Sequence, residues 1–163
     1  MGGIAAIVDH GSAPDRELGL RLSRAVALRG PDQQGFFEEG PAFLAQHRNM
    51  VALGGRRQPI VSDRYVLAFD GRLYDHVDLA RHVSGGDQRG GTLPGDAEVL
   101  LEAWQAWGPA CLDRLDGAWA IAVWDRQEQV LFLARDPLGL RPLYYHVAGQ
   151  RCSVASLPDR LTL

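Results

Sequence analysis

The sequence predicts an α+β fold in which two β-sheets pack face to face and helices cover their outer sides. Three features lead there. The chain opens on an uncharged run, Gly2-Gly3-Ile4-Ala5-Ala6-Ile7-Val8, and meets its first acid at Asp9. Such a run reads as a buried strand, and a strand at a terminus ties that terminus into the core. A second run, Ala118-Trp119-Ala120-Ile121-Ala122-Val123-Trp124, is apolar without alternation, as strands covered on both faces are. Two helical segments with one-sided apolar stripes complete the layering.

The elements follow in order. Asp9-His10-Gly11 turns the chain, and Ser12-Ala13-Pro14-Asp15 has the form of a capping box with Pro14 in the first helical turn. Leu18, Leu22 and Val26, with Leu28 near the end, make the first stripe, and Gly30-Pro31 stops the helix. Residues 29–35 read as a polar loop before short strands around Phe36-Phe37 and over 42–46. The stretch 54–60 is a long connection of a kind often kept for function. Residues 65–69 form a strand ending in a turn at Asp70-Gly71. Asp75-His76-Val77-Asp78 caps a short helix through Val83. Five glycines and one proline among the twelve residues 84–95 predict a mobile surface loop. The second long helix covers 96–107, with Asp96 and Glu98 at its positive end, where carboxylates are favoured. Beyond a further turn over 110–115, strands are expected at 118–124, 130–134, 143–146 and 151–155, with a loop through Asp136-Pro137-Leu138-Gly139.

Composition narrows the function. The 163 residues fit one domain over 1–163, and a net charge of -3 offers no basic field for nucleic acid or an anionic membrane. All 17 basic residues are arginines scattered along the chain, a pattern of coding bias rather than of a functional stripe. Cys111 and Cys152 lack metal spacing, and His10, His47, His76, His82 and His146 include no HxH or HxxxH pair, so neither a metal nor another cofactor is expected. No run approaches a membrane span and no basic leader precedes the apolar start; a cytoplasmic location is the expectation.

Several motifs carry a resemblance. Gly3-Ile4-Ala5, Arg29-Gly30-Pro31-Asp32, Gln58-Pro59, Phe69-Asp70-Gly71-Arg72-Leu73-Tyr74, Gly95-Asp96-Ala97-Glu98-Val99, Leu115-Asp116-Gly117, Val123-Trp124-Asp125 and the long stretch from Leu131 to Tyr145 occur in that order. With them the chain resembles, from end to end, the class II N-terminal-nucleophile (Ntn) glutaminase domain of the asparagine synthetases. The resemblance implies a four-layer αββα sandwich of two mainly antiparallel sheets. It also implies a cysteine nucleophile after the initiator methionine, where this chain has Gly2, and an Asn-Gly oxyanion pair, where it has Asp70-Gly71. Glycine has no group to attack with, and an ionised aspartate accepts hydrogen bonds without donating any. No catalytic residue is intact on this reading.

The substrate-binding half is expected to persist. The resemblance aligns Arg48 with the arginine that grips the glutamine α-carboxylate, aligns Asp96 with the acid that takes its α-amino group, and keeps the Gly71 backbone donor. Plainer readings stand beside these: Arg48 pairs with a nearby acid, and Asp96 is a helix-end carboxylate. Arg72 is expected to pair with Asp70 or Asp96, or to reach solvent. Cys111 and Cys152 lie on interior segments and are not substitute nucleophiles, while Arg135, Asp136 and Arg141 read as structural or interface residues.

Function is then expected to be that of a vestigial glutaminase-type domain with a structural or docking role. Its partner would be the ATP-dependent synthetase domain or subunit of an amide-forming enzyme, as in β-lactam synthetases and lasso-peptide cyclases, relatives that lack the nucleophile. The synthetase half is absent from this chain, since Ser84-Gly85-Gly86-Asp87 only echoes its phosphate loop and belongs to the glycine-rich connection. Two alternatives remain: a module that binds glutamine or another amino acid without cleaving it, and an active glutaminase supplying ammonia for asparagine synthesis if Gly2 replaces an original cysteine.

Overall fold

A computed structural model describes residues 2–49, 56–83, 94–158 and 161. Strand β1 (Gly2–Asp9) is followed by helix α1 (Arg16–Val26), strands β2 (Gln33–Glu39), β3 (Ala42–Arg48), β4 (Ile60–Val61) and β5 (Tyr65–Leu73), then helices α2 (His76–Val83) and α3 (Asp96–Trp107). Strands β6 (Gly117–Asp125), β7 (Val130–Arg135), β8 (Tyr144–Ala148) and β9 (Arg151–Ala155) complete the described chain. One sheet has the order β2-β3-β1-β9-β8, the other β4-β5-β6-β7, and every strand pairing in them is antiparallel.

The continuous apolar runs now have their reason. In β1, Ala5 and Ile7 pack under α1 with Leu18, Leu22 and Val26, whereas Ile4, Ala6 and Val8 face the other sheet. In β6, Trp119, Ile121 and Val123 pack under α2 and α3 with Leu79, Leu100 and Trp104, whereas Ala120, Ala122 and Trp124 join the layer between the sheets. Successive strand residues point to opposite faces, so a strand covered on both sides must be apolar at every position. Four layers result, in the order helix, sheet, sheet, helix. Each buried Ile, Leu or Val contributes about 1.5–3 kcal/mol over leaving it in water.

Several expectations need correction. Asp15, not Ser12, caps α1: its Oδ1 accepts the Leu18 N–H at 2.9 Å, while the Ser12 hydroxyl donates to Asp9. Leu28 is 92% exposed because the helix tightens into a 3₁₀ turn over Ala27–Arg29, which swings it off the stripe. Asp70-Gly71 is not a turn; β5 runs through both to Leu73, and Gly71 presses against β6, where a Cβ would lie 2.3 Å from the Ala118 carbonyl oxygen. Strands β2 and β3 are longer than predicted and absorb Gln33, Gln34, His47 and Arg48. The mobile-loop reading of 84–95, with its phosphate-loop echo, falls almost wholly outside the described residues, as do positions 54 and 55 of the connection 54–60. Among the described residues no helix is long and apolar enough to cross a membrane, and no three His, Cys, Asp or Glu side chains gather as a metal set.

Candidate functional site

The first sheet delivers Gly2 and the second delivers Asp70, and the two meet where the sheets face each other. The Gly2 N–H donates to Asp70 Oδ1 at 2.7 Å, and Asp70 is 2% exposed. Arg29, at the end of the 3₁₀ turn after α1, closes the group: its Nε donates to the Gly2 carbonyl at 2.8 Å and a terminal nitrogen reaches Asp70 Oδ2 at 3.3 Å. Both Asp70 oxygens therefore accept from donors, one of them charged. A side chain at position 2 has no room, since a Cβ on Gly2 would stand 2.7 Å from the His47 carbonyl oxygen and 3.1 Å from Asp70 Oδ1.

Buried polar side chains hold this corner in place. Gln46 Nε2 donates to the Phe69 carbonyl at 3.0 Å and Gln58 Oε1 accepts the Phe69 N–H at 2.8 Å, fixing the residue before Asp70. The Ile4 N–H donates to the Ser156 hydroxyl at 2.9 Å, anchoring the strand that carries Gly2. Ser23 and His47 share a 2.7 Å hydrogen bond beneath α1. Burial pushes the His47 imidazole below its ordinary value, against a smaller upward pull from its hydrogen bond to Gly30.

The remaining predicted residues are placed as follows. Arg48 is the register partner of Gly2 across β1 and β3, and its side chain is half-buried. Gly71 follows Asp70 in β5 opposite Trp119. Asp96 opens α3, where Oδ2 accepts the Leu73 N–H at 3.2 Å and lies 3.7 Å from Arg72 Nε, with His76 Nδ1 3.7 Å from Oδ1. Of the two partners foreseen for Arg72, it thus pairs with Asp96; Asp70 takes Arg29 instead. A cleft of about 650 Å³ opens beside the group, lined by residues including Leu28, Pro31, Gln33, His47 and Arg57, but by none of Gly2, Arg48, Asp70, Gly71 or Asp96. Burial pushes the Cys111 thiol up to about 11 and also raises that of Cys152, so neither favours a reactive thiolate.

Sequence reasoning missed Arg29, Gln46 and Gln58 as partners in this corner. The signals were present for two of them, because the Arg29-Gly30-Pro31-Asp32 and Gln58-Pro59 motifs were singled out without a role.

A family model described as a glutamine amidotransferase domain matches residues 1–162. The chain belongs to the glutamine amidotransferase domain family. It falls with the class II domains of the asparagine synthetases: it is 35% identical over 135 residues to asparagine synthetase [glutamine-hydrolyzing] 3 of Bacillus subtilis, covering 79% of this chain and 22% of that protein. With asparagine synthetase B of Escherichia coli the identity is 36% over 140 residues, covering 83% of this chain and 25% of that one. This amidotransferase domain thus spans about a quarter of the length of those relatives. Its fold is that of the Ntn amidotransferases: glutamine phosphoribosylpyrophosphate amidotransferase from B. subtilis superimposes with a TM-score of 0.78 at 19% identity, over 98% of this chain and 43% of that one.

Proposed function

We propose that this amidotransferase domain has no glutaminase activity and serves as a structural and docking unit of an ATP-dependent, amide-forming enzyme of asparagine-synthetase type. The observation that carries the reading is the closed group of Gly2, Asp70 and Arg29, with a backbone N–H and a guanidinium on the carboxylate and no space for a side chain at position 2. By the motif resemblance this is where a thiol would attack the glutamine amide and where an asparagine amide would donate to the oxyanion. Loss of an acyl-transfer nucleophile costs on the order of 10⁶ in turnover, about 8 kcal/mol of barrier, and loss of one oxyanion donor a further 10²–10³ or so.

Retained glutamine binding has less support than the structural role. The Asp96 carboxylate that would take an α-amino group is engaged by Leu73 N–H and flanked by Arg72 and His76. The named relatives hydrolyse glutamine; here the amine is expected to come from elsewhere. A diazoketone analogue of glutamine, which alkylates amidotransferase nucleophiles, tests the reading directly. Intact-mass measurement is expected to find the protein unmodified after incubation, and a stoichiometric adduct mapping to residues 2–9 would overturn it.

A further inference from the structure

His47 is a titratable side chain held where a second proton is unwelcome. It sits near the end of β3 on the face that α1 covers, 4% exposed, with Nε2 2.7 Å from the Ser23 hydroxyl of α1. The ring also donates to the Gly30 backbone, and since a neutral imidazole has one donor and one acceptor nitrogen, Ser23 is the donor to Nε2. Protonation makes both nitrogens donors. Ser23 would then have to turn its own proton away, towards a carbonyl one turn back in α1, which keeps the contact but leaves a buried charge. Among the described residues no carboxylate forms an ion pair with this ring, and burying a charge without a counter-charge is costly.

The neighbouring elements offer little to offset that charge. Strands β1 and β2 put Gly3 and Gln34 opposite His47, and the charged residues of α1, Arg16, Glu17, Arg21 and Arg24, are exposed. The turn after α1 brings Arg29, whose carboxylate partner is Asp70, and β3 itself brings Arg48. Asp32 and Arg57, of opposite charge, line the adjoining cleft of about 650 Å³. His47 is one wall of that cleft, so open space lies beside the ring.

What His47 holds is the turn that carries Arg29. Gly30 presses so closely on β3 that a Cβ there would lie 2.4 Å from the Arg48 nitrogen. Further along, the Asp32 N–H donates to the Arg48 carbonyl at 3.2 Å, so the far side of the turn has its own anchor and His47 secures the near side. Arg29 is the residue before Gly30, with its guanidinium on the Gly2 carbonyl and Asp70 Oδ2. We propose that His47 is a pH-sensitive latch on the group of Gly2, Asp70 and Arg29: its protonated ring leaves Ser23 and Gly30 for the cleft, and the loosened turn withdraws Arg29 from Gly2 and Asp70. The latch is closed while the ring is neutral and opens as pH falls through the folded-state value, which lies below about 6.5. It does not depend on the function proposed above.

The test follows the purified, isotope-labelled protein by NMR from pH 8 to pH 4, reading the His47 ring and the hydrogen exchange of the Arg29 Nε–H, corrected for its intrinsic pH dependence. Protection of that N–H is expected to fall several-fold with the midpoint of His47, while near-UV circular dichroism reports an intact core. In His47→Gln, neutral throughout, protection is expected to stay level over the range. Ser23→Ala removes the donor that favours the neutral ring, and is expected to move both midpoints to higher pH together. Protection that stays constant while His47 titrates, or a ring still neutral at pH 4, would overturn the latch. So would a pH dependence that persists in His47→Gln, an Arg29 midpoint that Ser23→Ala leaves in place, or a loss of protection that coincides with loss of the near-UV signal.

Discussion

Asp70 changes the chemistry of its corner more than any other side chain. It accepts from the Gly2 N–H and from Arg29, and a carboxylate there offers no hydrogen-bond donor where the family's asparagine amide would supply one. Replacing it by asparagine keeps the shape but leaves the guanidinium without its counter-charge. The expected loss is about 1.5–3 kcal/mol, the worth of a hydrogen bond to a charged group, read from urea denaturation. Gly2→Cys is expected to leave ammonia release at the level of the unaltered protein, because the new Cβ presses on the His47 carbonyl and Asp70 still opposes negative charge. Asp70→Asn alone is expected to behave likewise in the same assay, having no nucleophile. Gly2, Asp70 and Asp96 were legible in the sequence because a family motif surrounds each. Arg29 was not assigned, since nothing in a linear polar loop says which of its charges turns inward.

Among the elements, β5 binds the site to the fold. It carries Asp70 and Gly71, pairs with β6 over nine residues and offers Leu73 N–H to Asp96. Gly71→Ala would drive a Cβ to 2.3 Å from the Ala118 carbonyl oxygen and is expected to destabilise the protein by about 2–4 kcal/mol, visible as a lowered Tm. Reading Asp70-Gly71 as a turn failed because an Asp-Gly pair also fits a place where two backbones approach closely, and local sequence does not separate the two. Periodicity and caps did place α3, α2, β6 and β9 nearly to the residue. The faces of β1 and β6 were legible as two-sided, since apolar side chains at every position leave no face for water. The exposure of β8 was not, because Tyr144-Tyr145-His146-Val147 has the composition of a buried strand and only the sheet order makes it an edge.

For the molecule as a whole, the packing beneath α1 sets a pH dependence. The buried His47 is held below its ordinary value of about 6.5, so the unfolded chain binds the extra proton first as pH falls. The stability it contributes is complete above pH ~6.5, declines below that, and stops declining once pH passes the folded-state value. Denaturation midpoints between pH 8 and pH 5 should therefore fall, and His47→Gln should flatten that slope. Asp136 acts lower on the scale. Burial pushes its carboxyl up, but the N–H groups of Leu140, Arg141, Trp119 and Leu138 outweigh burial and hold it below the usual range. Its contribution is present above about pH 3.9 and is lost as pH falls through the folded value. These devices keep an amidotransferase scaffold intact around the corner formed by Gly2, Asp70 and Arg29. Ammonia release from glutamine by the purified, unaltered protein probes that corner without any substitution. The rate is expected to match the protein-free background, and turnover of order one per second or faster, within the range of ordinary enzymes, would contradict the loss of the nucleophile.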